Sequence, residues 1–414
     1  AYEVRIGDWS SDVCSSDLGA ILPGQVVVNQ KVMECRKKGV LMISLSPLLF
    51  RQNRYQALVS FMLDVKAQPL KRAQQEAGKE NLMKSRAAGK SASLYADHSV
   101  LASGAWAKIR VSQSGIHQLT DAVVRQAGFS NINKVKIYGY GGNLQNEALI
   151  AGELKKLDDL QEVPQCIVDG KHYFYAKGPV SWEDKTSIQR IRNPYSDYGY
   201  YFITQTGEEP ARMDSATFIS TYFPQAEDYH SLYEKDGYSW FPGGRNLFDP
   251  TEVPLGGKQQ VAIVNQTGSS NGKLTVGVTM GVNGSVEVQK NGVYLGTITL
   301  QKSVTSDASY QMAVESFATY PLKDLSEKDT ITLLPKTGGP MHLDYVAMTW
   351  EKPVPFPGFT GMVPAAQYVY GITNQNHHAD GAADMVIIIP TSQKLLKQAK
   401  RLKEFHETHD GLRV

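Results

Sequence analysis

The sequence predicts a mainly β protein that closes in an α/β fragment. Three observations carry that prediction. Residues 251–350 hold short strands with turn signals between them, the pattern of a β-sandwich. Met385-Val-Ile-Ile-Ile389 is continuously apolar and is followed by a segment of helical spacing, the opening of a βαβ unit. Twenty-one tyrosines, 36 glycines and 19 prolines fit a β-rich chain with many turns.

The elements follow in chain order. Asp8 to Leu18 matches the one-frame translation of a common short-read sequencing adapter, so residues 1–20 are read as an artefact with a ragged end and left out of fold reasoning. The chain opens on Ala, and it is expected to be a gene fragment ragged at both ends. A β-rich amino-terminal domain is expected over 21–250. Val26-Val-Val28 and Gly39-Val-Leu-Met-Ile43 are its first β-like runs. Residues 71–95, rich in Lys, Ala, Gln, Gly and Ser, read as a mobile insertion or an exposed helix. Ala107, Ile109 and Val111 alternate with Lys108 and Arg110, as in a half-buried strand. Thr120-Asp121 opens a two-turn helix that Gly128 closes. Val135 to Tyr138 is a strand ending in Gly139-Tyr-Gly-Gly142. Cys166 to Tyr173 reads as a hairpin around a type I′ turn at Asp169-Gly170.

The sandwich is expected over 251–352. Leu274, Val276, Val278 and Met280 alternate with Lys273, Thr275, Gly277 and Thr279, and Asn291-Gly292 turns a second hairpin. Pro353-Val-Pro-Phe-Pro357 stiffens a linker over 353–364. Residues 365–414 then read as the truncated start of a doubly wound domain. Its first strand, 385–389, is expected to be buried on both faces. Thr391 or Ser392 caps the helix. Leu395, Leu396, Ala399, Leu402 and Phe405 line its apolar side, and Gly411 ends it.

Composition narrows the partners. A net charge of +2 gives no case for nucleic acid or an anionic membrane. No apolar stretch reaches the ~20 residues of a membrane helix. The three cysteines, Cys14, Cys35 and Cys166, are too few for a disulfide framework.

Each local motif has a plain structural explanation. Gly268-Ser-Ser-Asn-Gly272 matches a nucleophile elbow, but a strand follows where the elbow needs a helix, so it reads as a loop. Gly139-Tyr-Gly141 lacks the third glycine and the helix of a phosphate loop. Cys166 and His172 point to opposite faces of their hairpin, which leaves a packed cysteine and a surface histidine. Asp158, Asp159 and Glu162 read as a solvated turn. His377, His378 and Asp380 read as loop residues without a metal, and His406 and His409 complement a helix dipole. Asn265-Gln-Thr267 and Asn283-Gly-Ser285 fit the glycosylation acceptor pattern. No catalytic, cofactor-binding or metal-binding residue is nominated.

Several stretches carry a wider resemblance. They are Ser99-Val-Leu-Ala-Ser-Gly-Ala-Trp-Ala-Lys-Ile-Arg-Val111, Ser114-Gly-Ile-His-Gln-Leu-Thr120, Val135-Lys-Ile-Tyr-Gly-Tyr-Gly-Gly142 and Asp158-Asp-Leu-Gln-Glu-Val163. Phe174-Tyr-Ala-Lys-Gly-Pro179, Asn193-Pro-Tyr-Ser196, Gly199-Tyr-Tyr-Phe202, Tyr233-Glu-Lys-Asp236, Gly244-Arg245 and Ala383-Asp-Met-Val-Ile-Ile-Ile389 continue it. In order and spacing over about residues 25–414 they resemble the amino-terminal portion of the type IX secretion system sortases, gingipain-like cysteine peptidases of the Bacteroidetes. The resemblance implies an exported protein of the outer membrane and cell surface. It implies partners in secreted cargo bearing carboxy-terminal sorting domains, other type IX components and lipopolysaccharide. It implies a transpeptidase that removes the sorting domain and joins the cargo to anionic lipopolysaccharide through a thioester. The family's catalytic Cys and His match no residue here, and this chain is expected to be inactive. Two other readings stand beside it. One is a secreted gingipain-type endopeptidase. The other is a non-catalytic surface module that binds cargo or glycan, through an aromatic platform such as Tyr198, Tyr200 or Trp240. A half-built sheet edge also predicts poor solubility.

Overall fold

The computed structural model describes residues 24–35, 38–45, 47–52, 54–60, 95–147, 151–241, 246–302, 312–356, 358–359, 361–390 and 392–414. The adapter-like stretch, the Lys71–Ser93 segment and Gly244-Arg245 lie outside the described residues. The chain divides into two units, residues 1–90 and 91–414. The described part of the first is two antiparallel hairpins, β1 (Val28–Cys35) with β2 (Lys38–Leu45) and β3 (Leu48–Arg51) with β4 (Arg54–Ala57).

The second unit is mostly β and holds two large cores. The first is built from β5 (Trp106–Val111), β6 (Gly115–Leu119), α1 (Asp121–Gln126), β7 (Val135–Gly141), α2 (Ala151–Lys156), β8 (Glu162–Val163), β9 (Gln165–Val168) and β10 (Lys171–Ala176). The short ribbon of β11 (Val180–Ser181) and β12 (Ile191–Arg192) follows, then β13 (Gly199–Gln205) and α3 (Ser215–Tyr222). Ala107, Ile109 and Val111 face inward, as their alternation requires, and meet Ile137, Ile203, Phe174 and Leu119. Thr120 caps α1 by accepting from the Val123 N–H, and Gly128 takes φ +83° just beyond it. Asp169 and Gly170 both hold positive φ, the geometry of a type I′ turn.

The second core is the sandwich. Its strands are β14 (His230–Glu234), β15 (Gln259–Val264), β16 (Gly272–Met280), β17 (Gly284–Lys290), β18 (Val293–Leu300), β19 (Val314–Leu322), β20 (Lys328–Thr337) and β21 (Met341–Trp350). They form two four-stranded antiparallel sheets, β14-β21-β16-β19 and β15-β20-β17-β18. Leu274, Val276, Met280, Val286, Ile298, Ile331 and Leu343 fill the space between them. The other face of β16 is buried too. Thr279 accepts from the Trp240 indole at 3.0 Å, so the outside of this sheet is covered rather than wet.

Two strands lie in sheets that their sequence positions do not suggest. β14, well before residue 251, pairs with β21 of the sandwich. β22 (Gln367–Ile372), beyond the proline-rich segment, pairs with β5 and completes the sheet β22-β5-β13-β7-β8. Strand pairing is non-local, so nothing within six residues shows which edge a strand will join. The proline-rich segment is packed as well: the Phe359 ring lies 4.9 Å from that of Tyr173, whose hydroxyl donates to the Phe359 carbonyl.

The carboxy-terminal reading needs correction. The 385–389 run is extended but not a buried strand: Val386 and Ile388 are 75% and 91% exposed. A strand covered on both faces needs neighbours and helices, and the described residues supply neither. α4 (Leu396–His409) starts later than predicted, with no side-chain cap; Thr391 lies outside the described residues. Gly411 does take φ +64° after the helix. The two ends of the segment 384–413 do meet. The N–H groups of Asp384 and Met385 donate to the Arg413 carbonyl, and the Arg413 guanidinium pairs with Asp384 at 3.0 Å.

Candidate functional site

Two acidic and histidine clusters that lie far apart in sequence meet in space. Asp158, Asp159, His377 and His378 line one cavity of about 230 Å3, together with Ser99 and Tyr140. Asp158 accepts from the Ala96 N–H at 2.5 Å, and its other oxygen lies 3.8 Å from His378 Nδ1. Asp159 accepts from Ser99 Oγ at 3.0 Å and from the Val100 N–H at 2.7 Å. His377 pairs outward with Asp380 at 2.7 Å. Asn376 accepts from the Ser99 N–H at 2.9 Å, and Asn374 donates to the Leu101 and Gly104 carbonyls. The solvated-turn reading of the acidic cluster therefore fails. Its carboxylates satisfy distant backbone donors, and Glu162 does the same for Ala211 at 2.7 Å.

The chemistry available in this cavity is narrow. Asp159 is consumed by three donors, Ser99 Oγ and the Val100 and Leu160 N–H groups, and the Asp158–His378 contact is long for proton transfer. Among the described residues, no group of three or more His, Cys, Asp or Glu side chains is placed to hold a metal ion. The cavity works as a seam that ties residues 95–102 and 374–380 to the 156–160 turn.

The remaining motifs resolve one by one. Tyr173 pairs with Cys166 and His172 with Ile167, so thiol and imidazole do point to opposite faces. His172, however, is buried, not on the surface. β10 is the middle strand of the sheet β6-β10-β9, with Phe174 in one core and Tyr175 in another, so both its faces are covered. Burial pushes the Cys166 thiol up and the His172 imidazole down, away from the ionised pair a peptidase needs. Ser270, the middle serine of the elbow-like motif, lies in a loop before β16. Asn265 is buried, donating to Ser326 and Asp329, and is no glycosylation acceptor as it stands.

The glycine-rich motif is a crossing point rather than a phosphate loop. A Cβ on Gly142 would lie 2.7 Å from the Gly199 Cα and 2.9 Å from the Gly178 carbonyl carbon. Three chain segments pass through one spot because all three residues lack side chains. The proposed aromatic platform is filled too. Lys108 Nζ sits 3.8 Å over the Tyr200 ring and the Arg110 guanidinium 4.1 Å over Tyr198. Trp240 meets Tyr238 and His342 edge-on.

One constellation had no signal in the sequence. Arg190 in the ribbon loop reaches Glu234 on β14 and Asp344 on β21, with 3.0 Å to Asp344, while its guanidinium stacks 4.0 Å from the Tyr345 ring. Two carboxylates thus share one cation. Burial pushes the Asp344 carboxyl up to about 6; Arg190 opposes this and Glu234 adds to it. Nearby, Trp182 stacks on His230 at 3.9 Å, and His230 Nε2 lies 2.9 Å from the Ser187 carbonyl.

No family model matches the chain, and no curated protein matches it. Among solved structures it is similar to dimeric latent PorU from Porphyromonas gingivalis, with a TM-score of 0.59 and 22% identity. That match covers 81% of this chain and 38% of that one, so the chain spans well under half of that protein. At this identity the likeness establishes a PorU-like fold and nothing about activity. Weaker likenesses run to a family 6 carbohydrate-binding module, at TM-score 0.19 and 16% identity over 29% of this chain and 94% of that one. CBM35 from Cellvibrio japonicus Abf62 gives 0.20 and 15% over 29% and 92%.

Proposed function

We propose that this chain is the amino-terminal part of a cell-surface transpeptidase of the type IX secretion sortase kind. The observation that carries the reading is the PorU-like fold over 81% of the chain. The ordered sequence stretches from Ser99 to Ile389 support it independently. In this reading the whole protein is exported to the outer membrane. It cleaves the carboxy-terminal sorting domain from secreted cargo and passes the new carboxyl end to an amine of lipopolysaccharide. A thiolate attacks the peptide carbonyl, the sorting domain leaves with the proton on its amine, and the acceptor amine resolves the thioester and regenerates the thiol. The described residues contribute the β scaffold. The buried, neutral Cys166 plays no part in the chemistry.

The glycan-platform alternative loses ground, because one ring face of Tyr198 and one of Tyr200 are already taken by Arg110 and Lys108. The test is to sequence the gene across both ends from source DNA and express the whole reading frame. The product is then incubated with a sorting-domain cargo and an amine acceptor. Thiol-sensitive release of the domain with joining to the amine supports the reading. A frame without a further Cys and His, or a product that only hydrolyses peptides, overturns it.

A further inference from the structure

A second crevice, of about 410 Å3, lies where the ribbon loop after β11 meets the end of the β14-β21-β16-β19 sheet. Three lysines from three different elements line it: Lys185 of the ribbon loop, Lys273 of β16, and Lys323 just after β19. Among the described residues none of the three forms an ion pair with a carboxylate. The acidic residue of the lining, Glu351, lies 3.4 Å from the Asn271 amide. Pro321, Leu322 and Trp350 make an apolar wall, and Lys185 Nζ stands 5.9 Å from the Tyr229 ring. A concave, partly apolar site at the junction of two packed cores is where small ligands bind preferentially. Like charges gathered over a low-dielectric wall focus a positive field there.

We propose that this crevice binds a small organic phosphate. Its dianionic head meets Lys185, Lys273 and Lys323, and its apolar body lies on Pro321 and Leu322. Charge decides for phosphate over a single carboxylate. Three ammonium groups against the one lining carboxylate of Glu351 leave a local charge of about +2, which a phosphate dianion neutralises and a carboxylate monoanion does not. The site is independent of the transpeptidase reading.

The test titrates the full chain by calorimetry with phenyl phosphate and with inorganic phosphate, and by co-sedimentation with phosphatidic-acid vesicles. Phenyl phosphate is expected to bind with a Kd below about 1 mM and to weaken as salt is raised. Lys273→Glu with Lys323→Glu should weaken it at least ~10-fold, the loss of charged hydrogen bonds. Lys185→Glu, on a loop, should do likewise should the double variant fold poorly. Lys328→Glu, outside the crevice, should change nothing. Vesicle binding lost in the same variants identifies a lipid headgroup as the source; phenyl phosphate binding without vesicle binding identifies a soluble ester. No saturable binding of phenyl phosphate, or equal weakening by Lys328→Glu, overturns the proposal.

Discussion

At the scale of single residues, glycine and buried charge dominate. Gly199 sits where the Lys177 carbonyl oxygen and Gly142 come closest, and a Cβ there has no room. Gly199→Ala should destabilise the second unit by about 3 kcal/mol, because backbone rather than a flexible side chain must move. Urea unfolding followed by tyrosine and tryptophan fluorescence would measure it. Asp344 sets a pH dependence. Its folded pKa, about 6, lies above the ordinary 3.8, so the folded state holds a proton that the unfolded chain has released. That contribution is fully present below about pH 4 and is lost as pH rises through about 6. Asp344→Asn should flatten the slope in this window and stabilise the protein at pH 7.5 by on the order of 2 kcal/mol. Thermal melts of both proteins between pH 4 and 8 check the sign; a variant less stable than the parent at pH 7.5 contradicts it.

At the scale of elements, the ribbon β11–β12 matters beyond its two-residue strands. Arg190 holds it to β14 and β21, and Arg192 pairs with Asp236 just past β14. Arg190→Ala leaves Glu234 and Asp344 buried together without their cation. The expected loss is about 3–5 kcal/mol, larger than any surface ion pair would show. Replacing Glu234 and Asp344 as well, by Gln and Asn, should recover part of it when the triple variant's urea unfolding is compared with that of Arg190→Ala. The α4 helix is the opposite case. Its apolar positions Leu402 and Phe405 are 43% and 51% exposed, so they contribute little here despite their regular spacing.

For the whole molecule, the sandwich and the first core are closed by their own side chains, while the carboxy-terminal segment shows its apolar side. Val386, Ile388, Leu402 and Phe405 all face solvent. Concentration-dependent self-association is the expected result by light scattering, and Val386→Asp with Ile388→Asp should reduce it. A monomer at every concentration tested would contradict this.

Adjacent residues alone dictate the local conformations and the class of fold. Period-two alternation at Ala107–Val111, positive φ at Asp169-Gly170 and Asn291-Gly292, and the capping of Thr120 are properties of adjacent residues, and all appear as expected; at Leu274–Met280 the apolar residues face the sandwich core, but Thr275 and Thr279 on the other face are buried as well. The opposed faces of Cys166 and His172 were legible for the same reason: a two-residue turn sets the register. Long-range packing sets which strands share a sheet, covers His172, and brings Asp158 to His378 across more than two hundred residues. It alone brought Arg190 to Asp344 and gathered three lysines at one crevice. Such contacts depend on how separate elements pack, and no spacing along the chain encodes that distance.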